Sequence, residues 1–288
     1  MARIKRGFVF GASVVSGIGV LFTIISLATE QWVYSDQAQL AVNASTDRYF
    51  SKIKYGLFQG TLRTGVTYNT VQISMTCIAK NNICAMLCAK NSTERFNILE
   101  DLYDNKGIHI QNDNECPMVA SSTKLHNEFA VLRSTQASAN KDRKFINFGV
   151  WISTIFFLSV SILFGLLAAG LSLYNTVSNP IQIYLSIYGI FIYNGIALGT
   201  VIIAVTVWGI FFQISIFHDI AIYYTLAGNM ESDKTAVLGY SYWLNIVPIV
   251  LYIVSITLLA VREYMVSHDP KQKIVQREEA GDPVIYLY

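Results

Sequence analysis

The sequence predicts a membrane all-α four-helix bundle with a large extracellular loop domain that contains a small β-sheet. The first observation is a run of 74 residues between Lys144 and Asp219 without a single Asp, Glu, Lys or Arg. The second is the composition, which is 53% hydrophobic and only 14% charged, whereas soluble domains are roughly 25% charged. Because about 20 apolar helical residues cross the hydrocarbon core of a bilayer once, the run is long enough for two crossings.

Turn-forming residues at 174–180 divide the uncharged run into two helices. The run lacks the alternation of polar and apolar residues that is typical of a barrel wall, which argues against strands. Two further apolar stretches complete the set of predicted helices: 8–29, 146–174, 182–213 and 241–262. A cleaved signal peptide is the alternative for the first stretch, but its apolar part is long and no A-x-A site follows it.

The short charged flanks predict the orientation of these helices. Arg3, Lys5 and Arg6 precede the first helix and favour a cytoplasmic N-terminus at 1–7. Four crossings then give four further segments: an extracellular loop at 30–145, a cytoplasmic turn at 175–181, a second extracellular loop at 214–240 and a cytoplasmic tail at 263–288. The cations just before the second helix oppose this orientation, but they end a segment of more than 100 residues, and such segments cross the membrane largely regardless of charge.

All four cysteines fall in the first loop, at Cys77, Cys84, Cys88 and Cys116. An even set confined to one loop predicts disulfides in an oxidising compartment, with three pairings open. Zinc is the alternative, because Cys84 and Cys88 are four residues apart, but histidines at ligand spacing are missing. The same loop carries two glycosylation sequons, which begin at Asn43 and Asn91 and also favour an extracellular position.

The first loop has the patterns of a small folded domain. Alternating apolar residues predict strands at 52–60 and 65–78. A helix is expected over 93–104 with Thr93 as its cap, and a further short helix over 121–134.

The predicted helix interiors contain no formal charge, which argues against proton relays, voltage sensors and ion-coupled transport. Asn194 and Asn245 are the strongest polar groups, and we expect them to form hydrogen bonds between helices; a permeation path is the alternative.

Small residues recur four apart at Gly7/Gly11, Ser13/Gly17, Gly165/Ala169 and Gly195/Gly199. Such spacing predicts close packing inside the bundle or, alternatively, against a second membrane protein. Pro248 predicts a kink in helix four.

The residues predict no enzyme, cofactor or metal site. The four histidines are scattered without a carboxylate at useful spacing, and no catalytic or phosphate-binding motif occurs. A net charge of +2 without a basic stripe argues against nucleic acid. The chain ends with Tyr286 and Tyr288 at alternate positions, a pattern that a PDZ-type groove binds by strand addition.

Several short motifs, in order along nearly the whole chain, resemble those of the clarins, which are claudin-like tetraspan proteins. Trp32 follows helix one after a small residue and Thr29, a Val-Asn-Ala-Ser sequon surrounds Asn43, and helix two ends in Tyr-Asn before Pro180. A Tyr-Gly-Leu-Phe-x-Gly element follows the sequon, with the motif residues Tyr55, Gly56, Leu57, Phe58 and Gly60. The stretch 61–140 departs from the clarins by its length and its cysteines, so the family's loop function is not carried over.

The resemblance implies a non-enzymatic glycoprotein of the plasma membrane. Clarins are associated with sensory cells, synapses and actin-linked membrane organisation, so the expected partners are the lipid bilayer, other membrane proteins and a cytoplasmic scaffold of the PDZ type. Trp32 and the Tyr55–Gly60 element would then determine the fold of the loop. The alternative function is an auxiliary subunit of a mechanosensitive or synaptic ion channel, and a pore or transporter formed by the chain itself ranks below it.

Overall fold

The computed structural model describes residues 2–40, 50–63, 70–104, 143–177, 185–227 and 230–268. Several predicted features lie outside these ranges: the sequon at Asn43, Cys116, the helix at 121–134 and the C-terminal residues Tyr286 and Tyr288.

Four of the helices are long and apolar enough to cross a membrane, over Arg6–Ala28, Phe148–Val177, Ile187–Ile216 and Tyr240–Ser267. The prediction of four helices that could span a membrane is therefore confirmed. The helices in chain order are α1 (Ala2–Ala28), α2 (Ser92–Tyr103), α3 (Phe148–Val177), α4 (Ile187–Phe211), α5 (Tyr223–Leu226), α6 (Tyr240–Trp243) and α7 (Ile246–Ser267). A π-helical segment, Phe212–Ile216, extends α4.

The fourth crossing is interrupted at Leu244–Asn245, between α6 and α7. Pro248 lies in the first turn of α7, where it cannot donate a hydrogen bond to the carbonyl of Leu244 four residues earlier. The irregularity predicted from this proline is present, and it lies on the N-terminal side of Pro248.

Antiparallel strands form one sheet with the order β6-β5-β4-β3-β2-β1-β7, and β8 also pairs with β1. The strands are β1 (Val33–Leu40), β2 (Phe50–Tyr55), β3 (Gln59–Arg63), β4 (Thr70–Ile78), β5 (Ile83–Leu87), β6 (Ile146–Asn147), β7 (Met230–Glu231) and β8 (Val237–Leu238). The last two come from the second loop, so both predicted loops contribute to one sheet.

Two local predictions in the first loop are wrong in detail. The single strand expected over 52–60 is two strands, β2 and β3, because Gly56, Leu57 and Phe58 form a turn between them. The cap of α2 is Asn91 rather than Thr93, because the Asn91 side chain accepts a hydrogen bond from the Thr93 N–H at 3.1 Å.

The chain divides into two compact units. We call residues 1–23, 160–201 and 246–288 the helical unit, and residues 24–159 and 202–245 the sheet unit. The helical unit has a small apolar core of Ala12, Ala168, Ile190 and Leu259.

The sheet unit contains two apolar clusters, one on each face of β5. Cys84 and Met86 point into the larger cluster, which holds Trp32, Tyr55 and Trp208. Ile83, Ala85 and Leu87 point into the smaller cluster, with Leu99 and Leu102 of α2. All five residues of β5 are therefore buried, which explains why its sequence is apolar without alternation.

Candidate functional site: the anchor of the sheet

Trp32 joins the end of α1 to the sheet within the sheet unit. Its side chain is fully buried, and its indole Nε1 donates to the Ser26 carbonyl of α1 at 2.7 Å. Its backbone N–H donates to the Tyr55 carbonyl at 2.9 Å, which starts the pairing of β1 with β2. The ring also makes edge contacts with Trp208 at 5.5 Å and Tyr242 at 6.1 Å between ring centroids. Trp32 thus fixes the position of the first strand.

The turn between β2 and β3 packs against backbone, and this explains its glycines. A Cβ at Gly56 would lie 2.3 Å from the Thr29 carbonyl oxygen, and a Cβ at Gly60 would lie 2.3 Å from the Tyr55 Cβ. Leu57 between them is buried, and its carbonyl accepts a hydrogen bond from Trp151 Nε1 of α3 at 2.7 Å. The turn therefore contacts the ends of α1 and α3.

Phe58 is the exception in this element, since 47% of its surface is exposed. Only its backbone takes part in the anchor: the Phe58 carbonyl accepts from the Met75 N–H of β4 at 2.8 Å.

Tyr55 ties the sheet to the second loop. Its hydroxyl donates to the Ile220 carbonyl at 2.9 Å. Burial raises the pKa of this phenol well above its usual value, and the charge of Asp219 adds to the effect, so the hydroxyl stays a neutral donor. The adjacent Ala221 has a φ of 54°, and its carbonyl accepts from the Met86 N–H at 3.0 Å. The Tyr55 bond therefore stabilises a strained turn beside β5.

Two further residues in this region, Gly239 and Asn82, make contacts that the sequence does not predict. A Cβ at Gly239 would lie 2.0 Å from the Gln31 carbonyl oxygen, and the Gly239 N–H donates to the Trp32 carbonyl at 3.0 Å. Asn82, at the tip of the β4–β5 hairpin, accepts from the Gly149 N–H at 3.0 Å and so caps α3. Neither contact has a local signal, because the partners are 67 or more residues away in the sequence.

Cys77 and Cys84 form a disulfide between directly paired residues of β4 and β5. Cys88 is also disulfide-bonded. The prediction of disulfides is confirmed, and the structure selects the Cys77–Cys84 pairing from the three that the sequence left open.

Asn91 is exposed at the start of α2, so its side chain lies on the surface.

The neighbouring cleft between β4 and α2 is lined by Met75, Thr76, Phe96 and Arg95 among others. The Arg95 guanidinium is engaged there, because it donates to Thr76 Oγ1 at 3.2 Å and to the Ala89 carbonyl at 2.7 Å.

The two predicted membrane asparagines both form hydrogen bonds between helices. In the helical unit, Ser16 of α1 donates to Asn194 Oδ1 of α4 at 2.8 Å, and the Ser16 and Ser255 hydroxyl oxygens lie 2.9 Å apart. In the sheet unit, Asn245 Nδ2 donates to Ser26 Oγ of α1 at 2.7 Å. Hydrogen bonding between helices therefore explains both asparagines without a permeation path.

The small residues divide into two groups. A Cβ at Gly165 would lie 2.4 Å from the Tyr252 hydroxyl, so this glycine is required by packing within the helical unit. Among the described residues, nothing lies within 4 Å of a Cβ added to Gly7, Gly17, Gly195 or Gly199. Intramolecular packing therefore explains only part of the predicted pattern.

Of the histidines, His218 has a partner that the sequence did not suggest. Its Nδ1 lies 2.9 Å from Asp233 Oδ1, fifteen residues away, and the two side chains are 41% and 49% exposed. His268 contacts Tyr264 and Ser267, and the other two histidines lie outside the described ranges. Within the described ranges, no group of three or more His, Cys, Asp or Glu residues could hold a metal ion.

Four helices long and apolar enough to cross a membrane, with an antiparallel sheet anchored at Trp32 and the Gly-Leu-Phe turn, define a multi-pass membrane protein of the tetraspan type. No family model matches the chain. The chain is similar to human Clarin-3, with 26% identity over 159 residues, which cover 55% of this chain and 64% of Clarin-3. The match thus spans slightly less than two thirds of that relative, and it confirms the resemblance to the clarins.

Proposed function

We propose that this protein is a non-enzymatic, clarin-like organiser of the plasma membrane that holds other membrane proteins together. The observation that carries the proposal is the sheet anchored to the helix ends by Trp32 and the Tyr55–Gly60 turn, in a chain similar to Clarin-3. The disulfide-linked hairpin and the aromatic contacts support a rigid surface. A rigid surface suits a scaffold better than an enzyme whose site changes conformation. Trp32, Tyr55, Gly56, Leu57 and Gly60 would set the shape of that surface, and Phe58 would be exposed on it.

In this proposal the loops face the extracellular space and both termini face the cytoplasm. The Cys77–Cys84 disulfide supports this orientation, because such bonds persist in oxidising compartments. Glycans at Asn43 and Asn91 would mark the first loop, and the exposed position of Asn91 is compatible with one. The resemblance to clarins suggests sensory or neuronal cells and a link to actin, which the tail would provide through a scaffold of the PDZ type.

The orientation is tested by glycosidase digestion of the full chain expressed in a secretory host. We expect a shift in mobility that becomes smaller in Asn43→Gln and in Asn91→Gln and disappears in the double variant. An epitope on the C-terminus should bind antibody only after the cells are permeabilised. Absence of both glycans together with an externally accessible C-terminus would overturn the orientation.

The organiser role is tested by crosslinking the full chain in its native membrane and identifying the captured proteins by mass spectrometry. A matched variant carries a short Gly-Ser extension after Tyr288, which blocks recognition of the free carboxylate and leaves every residue in place. We expect the membrane partners to remain and the cytoplasmic scaffold to be lost. Capture of no membrane partner would contradict the organiser role, and an unchanged scaffold would contradict the role of the tail.

An auxiliary subunit of a mechanosensitive or synaptic ion channel is the second candidate. Two observations favour it. The helix interiors are uncharged, and no described atom lies within 4 Å of a Cβ added to the glycines at 17, 195 and 199, which leaves room for a second membrane protein. The expected result is altered gating of a co-expressed channel and no current from the chain alone in liposomes. A current from the purified chain would instead indicate a pore.

A further inference from the structure

The cleft between β4 and α2 opens directly beside the sequon that begins at Asn91. Its volume is about 460 Å³, which lies within the roughly 300–1,000 Å³ that small-molecule sites occupy. Its walls combine an aromatic ring with hydroxyl and guanidinium groups, and they include Thr76 of β4 with Ser92, Thr93, Arg95 and Phe96 of α2. Ser92 and Thr93 are also the second and third residues of the sequon. The cleft therefore adjoins the side chain that would carry the glycan.

The Asn91 amide can carry a sugar and cap α2 at the same time. Its Oδ1 accepts from the Thr93 N–H at 3.1 Å, and its Nδ2 makes no hydrogen bond to a described residue. An N-linked glycan replaces one hydrogen on Nδ2 and leaves the carbonyl oxygen as an acceptor. Glycosylation and capping thus use different atoms of one amide, so a sugar at this position is compatible with the observed helix start.

Arg95 holds one wall of the cleft in place and offers hydrogen-bond donors. Its Nε donates to Thr76 Oγ1 at 3.2 Å, and its Nη1 donates to the carbonyls of Ala89 and Lys90 at 2.7 and 2.8 Å. Its Nη2 has no acceptor among the described residues, so two N–H donors of the guanidinium remain available. Sugar hydroxyl and N-acetyl carbonyl oxygens are acceptors for such groups.

Phe96 provides an apolar surface at the same cleft. Its ring is 43% exposed. It follows Ser92 by four residues, so the two lie on one face of α2, and it is about 7.5 Å beyond Asn91 along the helix axis. The first sugar of an N-linked glycan is N-acetylglucosamine, which is long enough to span this distance and lay its C–H face on the ring. Such a contact removes apolar surface from water.

From this juxtaposition we infer that the glycan on Asn91 folds back into the cleft. Its first sugar packs on Phe96 and accepts hydrogen bonds from Arg95, so the glycan covers the join between α2 and β4 and stabilises the sheet unit. A peptide of a partner protein is less favoured as the occupant, because a tethered sugar has a high effective concentration at the cleft. The inference rests on the proposed extracellular orientation, which exposes the sequon to glycosylation.

The inference is tested by digesting the native full chain, made with uniform high-mannose glycans, with endoglycosidase H. Mass spectrometry follows release at Asn91 and, as an internal reference, at Asn43. We expect release at Asn91 to be slow until the chain is denatured, and about tenfold faster in Phe96→Ala, if the contact is as strong as a good aromatic pair. Phe50→Ala is the matched control, because it removes another ring of the sheet unit, 46% exposed, and should leave the rate unchanged.

Melting temperatures provide a second measurement that does not depend on access of the glycosidase. Thr93→Ala removes the sequon and Thr93→Ser keeps it, and both retain Asn91 as the cap. Thr93→Ala should lower the melting temperature by about 2–4 °C relative to Thr93→Ser. In a Phe96→Ala background the same comparison should show no difference, because the sugar has lost its contact.

Equal release rates in the wild type and Phe96→Ala, or an equal effect of Thr93→Ala in both backgrounds, would overturn the inference and leave the orientation intact. A chain without a glycan at Asn91 would overturn it as well. In that case the glycan at Asn43 and the C-terminal epitope still report the orientation, so the two proposals fail separately.

Discussion

The helical unit and the sheet unit are held together by different kinds of contact. In the helical unit, hydroxyl and amide groups such as Ser16, Asn194 and Ser255 connect helices whose other surfaces are apolar. In the sheet unit, large rings such as Trp32 and Trp208 fill a core that is closed by a disulfide. Lipid is as apolar as the helices, so the hydrophobic effect does not drive their association, and close packing of small residues and hydrogen bonds joins them instead. A core that forms in water is stabilised by the apolar surface area that it buries. We therefore expect the two units to respond differently to the same kinds of substitution.

The largest expected difference comes from adding one methyl group to a glycine in each unit. Gly56→Ala should destabilise the sheet unit by about 3 kcal/mol or prevent folding, because the new Cβ meets the Thr29 carbonyl oxygen, which is backbone and cannot move aside. In Gly17→Ala of the helical unit, the new Cβ meets no described atom within 4 Å, so the substitution should leave stability unchanged or raise it slightly. Yield and melting temperature of the purified chain in detergent measure both effects. Equal effects of the two substitutions would contradict the anchoring role of the turn.

Removal of the hairpin disulfide should have the next largest effect. Cys77→Ala/Cys84→Ala opens a link between residues seven apart and should lower stability by about 2–3 kcal/mol. A reducing agent should lower the melting temperature of the wild type further than this, since it also opens the bond at Cys88. Tryptophan emission follows the transition and reports on the sheet unit, because all four tryptophans of the chain lie in it. An unchanged transition in the double variant would indicate that packing alone holds the β4–β5 hairpin.

Removal of the Tyr55 hydroxyl tests the contact with the second loop. Tyr55→Phe leaves the buried Ile220 carbonyl without this donor and should cost about 1–2 kcal/mol at neutral pH. The pKa of Tyr55 is raised in the folded state, so its contribution is fully present below the unfolded pKa of about 10 and is lost as the pH rises through the folded value. The wild type should therefore lose stability more steeply than Tyr55→Phe above about pH 10. Parallel curves for the two proteins would show that Tyr55 ionises freely.

The smallest effect is expected from the hydrogen bond between α1 and α4. A double-mutant cycle with Ser16→Ala and Asn194→Leu should give a coupling energy of about 0.6 kcal/mol, because hydrogen bonds between helices in membranes are modest. Thr257→Val is the control, since its hydroxyl bonds only to its own helix at Ile253 and is exposed. Coupling of several kcal/mol would mean that the helical unit depends on this bond as strongly as the sheet unit depends on its core.

The sequence by itself determined the four helices that are long and apolar enough to cross a membrane, because the length and apolar character of a segment are local properties. It also indicated the disulfide-bearing loop and the glycines at 56 and 60, whose motif runs from the end of β2 to the start of β3. The boundary between β2 and β3 could not be predicted from the sequence. Periodicity favours one strand over 52–60, whereas the close approach of Gly56 to Thr29 imposes a turn.

Only the tertiary structure decided how distant segments meet. β7 and β8 are two residues each and carry no pattern of their own, yet they pair with β1 some 190 residues earlier in the chain. The pairing of Cys77 with Cys84, the contact of His218 with Asp233 and the cap that Asn82 provides for α3 arise in the same way. The disulfide and the cap depend on the register of the sheet, and register is fixed by the sum of many nonlocal contacts that no short stretch of sequence contains.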